Sequence, residues 1–300
     1  MHAAPNPEQL AIIESYKRQA PADGPFHRQE DLHLFLDTPP ELYIPGPLVV
    51  ARLCSLEHVA TISGPFAVGK NAAKEAAVSQ SVSRHPRHGV SIIHPVLNGT
   101  TRLPEFRDGQ VEKHGREYDF AFTKSKNMRL SHLLRRGLLV QYAQPRGDRD
   151  HVYFTQLDSF PESGIALMDT VPDTLRDLNR ILAHCGKTAI GIYRTVDTFD
   201  DWMSRIKGRG DIIDQHGDVI DNENYEKRMN EAVTSITKAM DVRHELGVKF
   251  FAAGERSEAG EAVVDILTGH HTKKMQKRGE KGAQKMLKGL AEHGFKSKDQ

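Results

Sequence analysis

An α/β fold, with a parallel sheet joined by crossover helices, is predicted by three features of the chain. Short apolar runs alternate with helical patterns from Glu57 onward. A glycine-rich turn connects the first apolar run to the first of those helices. The composition is that of a globular protein, with 38% hydrophobic and 27% charged residues among 300. Parallel strands need a crossover between them, usually a helix, so alternation of the two patterns indicates parallel pairing. The length allows one large domain or two small ones.

Residues 1–55 read as a separate N-terminal extension. A helical pattern at Pro7–Lys17 is followed by Pro21, Gly24, Pro25, Pro39, Pro40, Pro45, Gly46 and Pro47. That density of breakers suits a loop-rich extension rather than a core sheet. Val59–Ile62 is the first predicted strand, followed by a helix over Asn71–Ser81. Ile165–Met168 is a second strand, ending at Asp169. Thr188–Tyr193 is a third, followed by a helix over Thr198–Lys207. Val248–Ala252 is a fourth, followed by a helix over Ala259–Leu267. Ligands of such sheets bind at the carboxyl ends of the strands.

The turn after Val59–Ile62 reads Ser63-Gly64-Pro65-Phe66-Ala67-Val68-Gly69-Lys70-Asn71. This is G-x-x-x-x-G-K between a strand and a helix, the context in which that spacing cradles phosphates. Gly64 and Gly69 allow the backbone to turn its N–H groups inward. The helix start adds unpaired donors and a positive dipole end. Lys70 is the residue to reach the β- and γ-phosphates. Asn71 stands where a hydroxyl usually faces magnesium, so an amide oxygen or water takes that place. The expected architecture is therefore a P-loop NTPase-type parallel sheet with flanking helices.

Residues 100–120 read TTRLPEFRDGQVEKHGREYDF. With the loop before it, this segment resembles the guanylate kinases and related nucleoside monophosphate kinases, which carry TTRxPRxGEVxGxDYxF. Thr100, Thr101, Arg102, Pro104, Arg107, Gly109, Val111, Gly115, Tyr118 and Phe120 match in order. The resemblance implies that Arg102, Arg107 and Tyr118 hold the phosphate of an acceptor nucleotide. Two guanidiniums and a phenol suit a dianionic phosphate. Leu138–Ala143, with Gly147, resembles the family's EFIEWA segment and makes Gln141 an acceptor-binding position. Asp169 falls at the first acid of the family's LDID stretch, where a carboxylate orients magnesium or water. Trp202–Gly210 resembles the entry to the family's lid and Arg228 its exit. Arg205, Arg209 and Arg228 would then close over the transferring phosphoryl as catalytic groups with Lys70. The implied domain spans 56–268, with an inserted acceptor-binding segment over about 94–160 and a helical lid over about 203–230. ATP as co-substrate and Mg2+ follow from the same resemblance.

The departures cluster where an acceptor base would be read. Gln141, Val171 and Gln110 stand where the family has carboxylates. A glutamine offers one acceptor and one donor where a carboxylate offers only acceptors, so guanine specificity is expected to be altered. The expected activity is phosphoryl transfer from ATP to a nucleoside monophosphate, GMP or dGMP by family. The alternatives are a non-catalytic binding module of the same kind and a sugar-phosphate kinase. Plainer roles remain open for single residues: Arg205 and Arg209 at i, i+4 can pair with Asp200 or Asp201, and Asp169 can cap the turn that follows it.

The net charge of +1 is a cancellation. Residues 271–300 hold nine Lys or Arg against three acids, so that segment is +6 and the rest of the chain −5. The segment 269–300 reads as a basic, solvated tail, with a short amphipathic helix through Met275, Leu287 and Leu290 as the alternative, and it is the only place where nucleic acid is an expected partner. His85, His88 and His94 are interrupted by Pro and Gly and form no expected metal site. Trp202 reads as a core anchor, and Cys54 and Cys185 as ordinary thiols. No apolar run approaches the roughly 20 residues a bilayer requires, and the start MHAAPNPEQL lacks the pattern of a signal peptide. A cytoplasmic protein with nucleotide substrates and no membrane partner is expected.

Overall fold

The computed structural model describes residues 43–88, 91–104, 106–107, 110–113, 115, 118–121, 124–143, 151–209, 212–213 and 218–295. In chain order it begins with α1 (Pro47–Ser55), β1 (His58–Ser63), α2 (Lys70–His88), β2 (Ile93–Val96) and β3 (Gly99–Thr100). Next come β4 (Phe106–Arg107), β5 (Gln110–Val111), β6 (Asp119–Phe120), α3 (Lys124–Arg135), β7 (Leu139–Ala143) and β8 (Tyr153–Gln156). The chain continues through β9 (Ile165–Asp169), α4 (Thr174–Leu182), β10 (Ile190–Thr195), α5 (Phe199–Arg209) and α6 (Asn222–Val242). It closes with β11 (Lys249–Ala252), α7 (Arg256–Leu267) and α8 (Lys273–Glu292). These elements fall into two units, residues 56–95 with 163–295 and residues 43–55 with 96–162.

The first unit is a mixed α/β structure with a mostly parallel five-stranded sheet in the order β11-β10-β1-β9-β2. All four predicted strands lie in it, each shifted by at most two residues. The central strands are buried on both faces, which is why they read as short continuous apolar runs. On one face Ala60, Ile62, Leu167, Ile192 and Phe251 meet Ala73 and Ala77 of α2 and Ala259, Ala262 and Val263 of α7. Gly260 permits a close crossing there, since a Cβ on it would lie 2.6 Å from that of Ala76. On the other face Gly191 lies against Leu175 of α4, and the Tyr193 hydroxyl is 3.0 Å from Ser235 of α6.

The C-terminal segment differs from the expected solvated tail. Residues 273–292 form α8, which buries Gly279, Gly282, Ala283, Met286, Gly289 and Leu290 along one stripe. It covers the free edge of β11. Gln276 accepts the Phe250 N–H at 2.8 Å and donates to the Val248 carbonyl at 3.4 Å. An exposed sheet edge presents unpaired N–H and C=O groups, and a helix laid along it removes that liability. The lysines occupy the helix's outer surface, so composition registered the charge and missed the packed face beneath it. Neither Cys54 nor Cys185 is a free thiol, which corrects their reading as ordinary thiols. Two cysteines far apart in sequence carry no sign of their oxidation state.

The second unit holds a four-stranded sheet in the order β6-β3-β8-β7 and a separate β4–β5 hairpin. Tyr43, Leu130, Leu133, Leu139, Tyr142, Val152 and Phe154 form its core. Residues 43–55 are part of this unit, whereas residues 1–42 of the expected extension lie outside the described residues. Tyr43 donates its hydroxyl to the Leu139 carbonyl at 2.9 Å, and the Gly46 N–H bonds to Gly137 at 2.7 Å. Among the described residues, no helix is long and apolar enough to cross a membrane.

Candidate functional site

β1 ends at Ser63, the chain turns through residues 64–69, and α2 begins at Lys70. Gly64, Ala67 and Gly69 take φ values of +149°, +58° and +87°. At Gly64 a side chain is excluded twice over, because a Cβ would also lie 2.5 Å from the Arg194 carbonyl oxygen. Ala67 pays for its left-handed conformation with about 1–2 kcal/mol, a strain that concentrates at ligand-binding turns. The first N–H groups of α2 have no acceptors within the helix. The loop therefore ends in a set of donors backed by a positive helix end, which is the physical requirement for holding an anion.

The Lys70 ammonium donates to the Gly64 carbonyl at 2.9 Å and the Pro65 carbonyl at 3.1 Å. Burial lowers its pKa below the usual lysine range. The Asp169 carboxylate opposes that shift, while the charges of Arg209, Arg228 and Arg194 reinforce it. Asp169 stands at the carboxyl end of β9, beside Ile62 in the register with β1. Thus the charges of Asp169, Arg209 and Arg228, singled out from the sequence, act on Lys70.

Two further side chains hold the loop from α5. The Trp202 indole N–H donates to the Phe66 carbonyl at 2.7 Å, and its ring stands edge-on to Phe66 and Phe199. Trp202 is fully buried, as expected of a core anchor, and it also fixes the loop. Arg205 donates to the carbonyls of Val68 at 2.9 Å and Gly254 at 2.8 Å, rather than to Asp200 or Asp201. It ties the loop to the chain leaving β11. Arg228 pairs with Glu231 at 3.0 Å on α6. Arg194 was not singled out from the sequence. It lies on β10, is 2% exposed, and donates to the Gly69 carbonyl. Its place in a strand otherwise apolar, Ile190 to Tyr193, was the available signal.

The second unit brings Arg102, Tyr118 and Tyr153 together. Arg102 is buried and bound by Glu112 through two contacts of 2.6 and 2.9 Å. Its Nε donates to the Tyr153 hydroxyl at 3.2 Å, and its guanidinium lies 5.1 Å from the Tyr118 ring centroid. The Tyr118 and Tyr153 rings are 5.9 Å apart. Arg102 thus faces a carboxylate of its own chain, where the resemblance implies a phosphate. Glu112 and Tyr153 were both missed as site residues. Gln141, on β7, donates to the Thr155 hydroxyl at 3.2 Å, which donates in turn to Asn98 at 2.9 Å. Arg107 lies on β4, paired with Gln110 of β5, and its side chain falls outside the described residues.

No group of three or more His, Cys, Asp or Glu side chains able to hold a metal occurs among the described residues. Asn71 is exposed on the first turn of α2. Asp169 and Asn71 are hard oxygen donors of the type Mg2+ takes, and that ion ordinarily keeps several waters and bonds to phosphate oxygens. The donor set fits magnesium carried in on phosphates, not a cage made by the protein alone.

No protein-family model matches the chain, and no curated protein matches it significantly. What is established is a mixed α/β protein whose mostly parallel five-stranded sheet, flanked by helices, is compatible with a P-loop-like fold. Its glycine loop is ringed by cations.

Proposed function

We propose that the protein is a cytoplasmic phosphotransferase that moves the γ-phosphoryl group of ATP to a nucleoside monophosphate. The observation that carries this reading is the concentration of Lys70, Arg194, Arg209 and Arg228 in one electrostatic field around the loop, with Asp169 as its carboxylate. Phosphoryl transfer needs little covalent chemistry and depends on positioning and on positive charge around the moving group. The loop N–H groups and Lys70 would hold the donor phosphates. Arg209 and Arg228 would neutralise the charge that develops on the transferring group. Asp169 and Asn71 would supply the protein oxygens that hold magnesium, which when bound would offset the negative charge of the donor phosphates. Tyr118, Tyr153 and Arg107 would engage the acceptor phosphate, with Arg102 held in place by Glu112.

The acceptor base is the part of this reading that departs from GMP. Gln141 carries an amide where a carboxylate would accept two bonds from guanine, and Val171 is exposed rather than acidic. A second reading is a non-catalytic nucleotide-binding module, favoured by the engagement of Arg102 with Glu112. A coupled ADP-release assay with ATP and magnesium, over a panel of nucleoside and sugar monophosphates, separates the two. Turnover with at least one nucleoside monophosphate, abolished by Lys70→Ala, is the expected result. Turnover with no acceptor sinks the kinase reading, and turnover with sugar phosphates alone moves the acceptor to that class. Gln141→Glu is expected to raise the use of GMP relative to the other acceptors.

A further inference from the structure

Arg194, 2% exposed, is a buried cation beside the glycine loop. It sits on the interior strand β10, next to Tyr193, which pairs with Ser63 at the start of the loop. Its Nη1 donates to the Gly69 carbonyl, its Nε is buried without a hydrogen-bond partner, and its guanidinium lies 6.0 Å from the Phe251 ring centroid. It forms no ion pair among the described residues. The Arg205 guanidinium acts on it repulsively, and the Glu258 carboxylate opposes that effect more weakly. Burial and Arg205 together push its pKa down to about 10.

Buried charges in folded proteins are paired or engaged with a ligand, because an unpaired one is costly to desolvate. Among the described residues Arg194 has no carboxylate partner, but it is bonded to the carbonyl of the last loop residue. The Gly69 oxygen accepts the Ala73 N–H of α2 at 3.1 Å and the Arg194 guanidinium, and the two together fix that peptide, so the N–H of Lys70, on its far side, is aimed away from Arg194. The close fit confirms how little room the contact has: a Cβ on Gly69 would stand 3.2 Å from Nη1. We propose that Arg194 is a positioning residue for the phosphate loop, helping to hold the Gly69 peptide in its donor orientation, and that the bound anion supplies a countercharge that the described residues do not. The proposal rests on the reading of the loop as a phosphate site. It assigns Arg194 no contact with the reacting atoms.

The consequence is a sign that a purely structural arginine does not share. Removing the guanidinium leaves the ligand-free protein no less stable, because a buried unbalanced charge goes with it, but it weakens anion binding. Full-length Arg194→Met and Arg194→Lys are compared with wild type and Lys70→Ala. The readouts are thermal unfolding without ligand and calorimetric binding of inorganic pyrophosphate and of ATP. Arg194→Met is expected to unfold at or above the wild-type temperature while its pyrophosphate Kd rises at least about 30-fold. Arg194→Lys, which keeps a charge without the planar fork, recovers part of that loss. An Arg194→Met protein that binds pyrophosphate as wild type does, while Lys70→Ala does not, overturns the role of Arg194 and leaves the phosphate site standing. A clear drop in ligand-free stability, including failure to fold, overturns the missing-countercharge argument. Wild type that binds neither probe removes the phosphate reading and this proposal with it.

Discussion

The Lys70 ammonium is held between opposing fields: burial and three arginines disfavour its proton, and Asp169 favours it. Its folded pKa is lowered, so it loses its proton earlier on the alkaline side than an exposed lysine does. Between the folded pKa and the ordinary value the unfolded chain binds more protons, and stability rises with pH across that window. Phosphate binding runs the other way, since it needs the charged form. Pyrophosphate affinity measured from neutral pH upward is therefore expected to fall within that window in wild type and to stay flatter in Lys70→Arg, which does not titrate there. The Arg102–Glu112 pair yields a second expectation at this scale. Glu112→Gln leaves Arg102 buried with its charge uncompensated and should cost about 3–5 kcal/mol in denaturant unfolding. Replacing both with apolar residues, as in Arg102→Met with Glu112→Leu, should cost far less. Lys70, Asp169, Arg209 and Arg228 were legible as a group from motif order. Glu112, Tyr153 and Arg194 were not, because each gains its meaning from a partner distant in the chain or from burial.

At the scale of elements, α8 is the clearest case of packing overriding composition. Glycine in a helix interior is worth about 1 kcal/mol less than alanine, so Gly282→Ala would stabilise an isolated helix. Here an added Cβ would lie 2.2 Å from the Val196 carbonyl oxygen and 2.8 Å from the Thr195 hydroxyl oxygen. Backbone cannot yield as a flexible side chain does, and overpacking costs typically 1–3 kcal/mol. Gly282→Ala is therefore expected to lower the midpoint of chemical denaturation, and Gly289→Ala, which would meet the Phe199 ring at 2.2 Å, to do the same. Lys281→Ala, on the exposed side, should stay within about 0.5 kcal/mol. The glycines at 279, 282 and 289 share helical spacing with Ala283, Met286 and Leu290, a pattern present in the sequence but masked by the seven cations of the same helix.

For the whole molecule, the first unit depends on a segment at its C-terminal end. Removing residues 270–300 would uncover the β11 edge and the faces of Phe199 and Phe251 that α8 packs against. The expected outcome is loss of soluble, cooperatively unfolding protein, followed by size-exclusion chromatography and thermal melts. Removing residues 296–300 alone should leave both unchanged. The described residues fall into two units, each assembled from segments separated in the chain.

The sequence by itself determined the four parallel strands of the first unit and the glycine loop between β1 and α2. Period, glycine spacing and strand–helix context are local signals and survive without coordinates. Only the tertiary structure decided that the basic segment is an edge-covering helix, that Arg102 answers to Glu112, and that Arg194 lies buried behind Gly69. Those outcomes depend on which distant residues meet and on how much water is excluded when they do, and neither quantity is written in any short stretch of the chain.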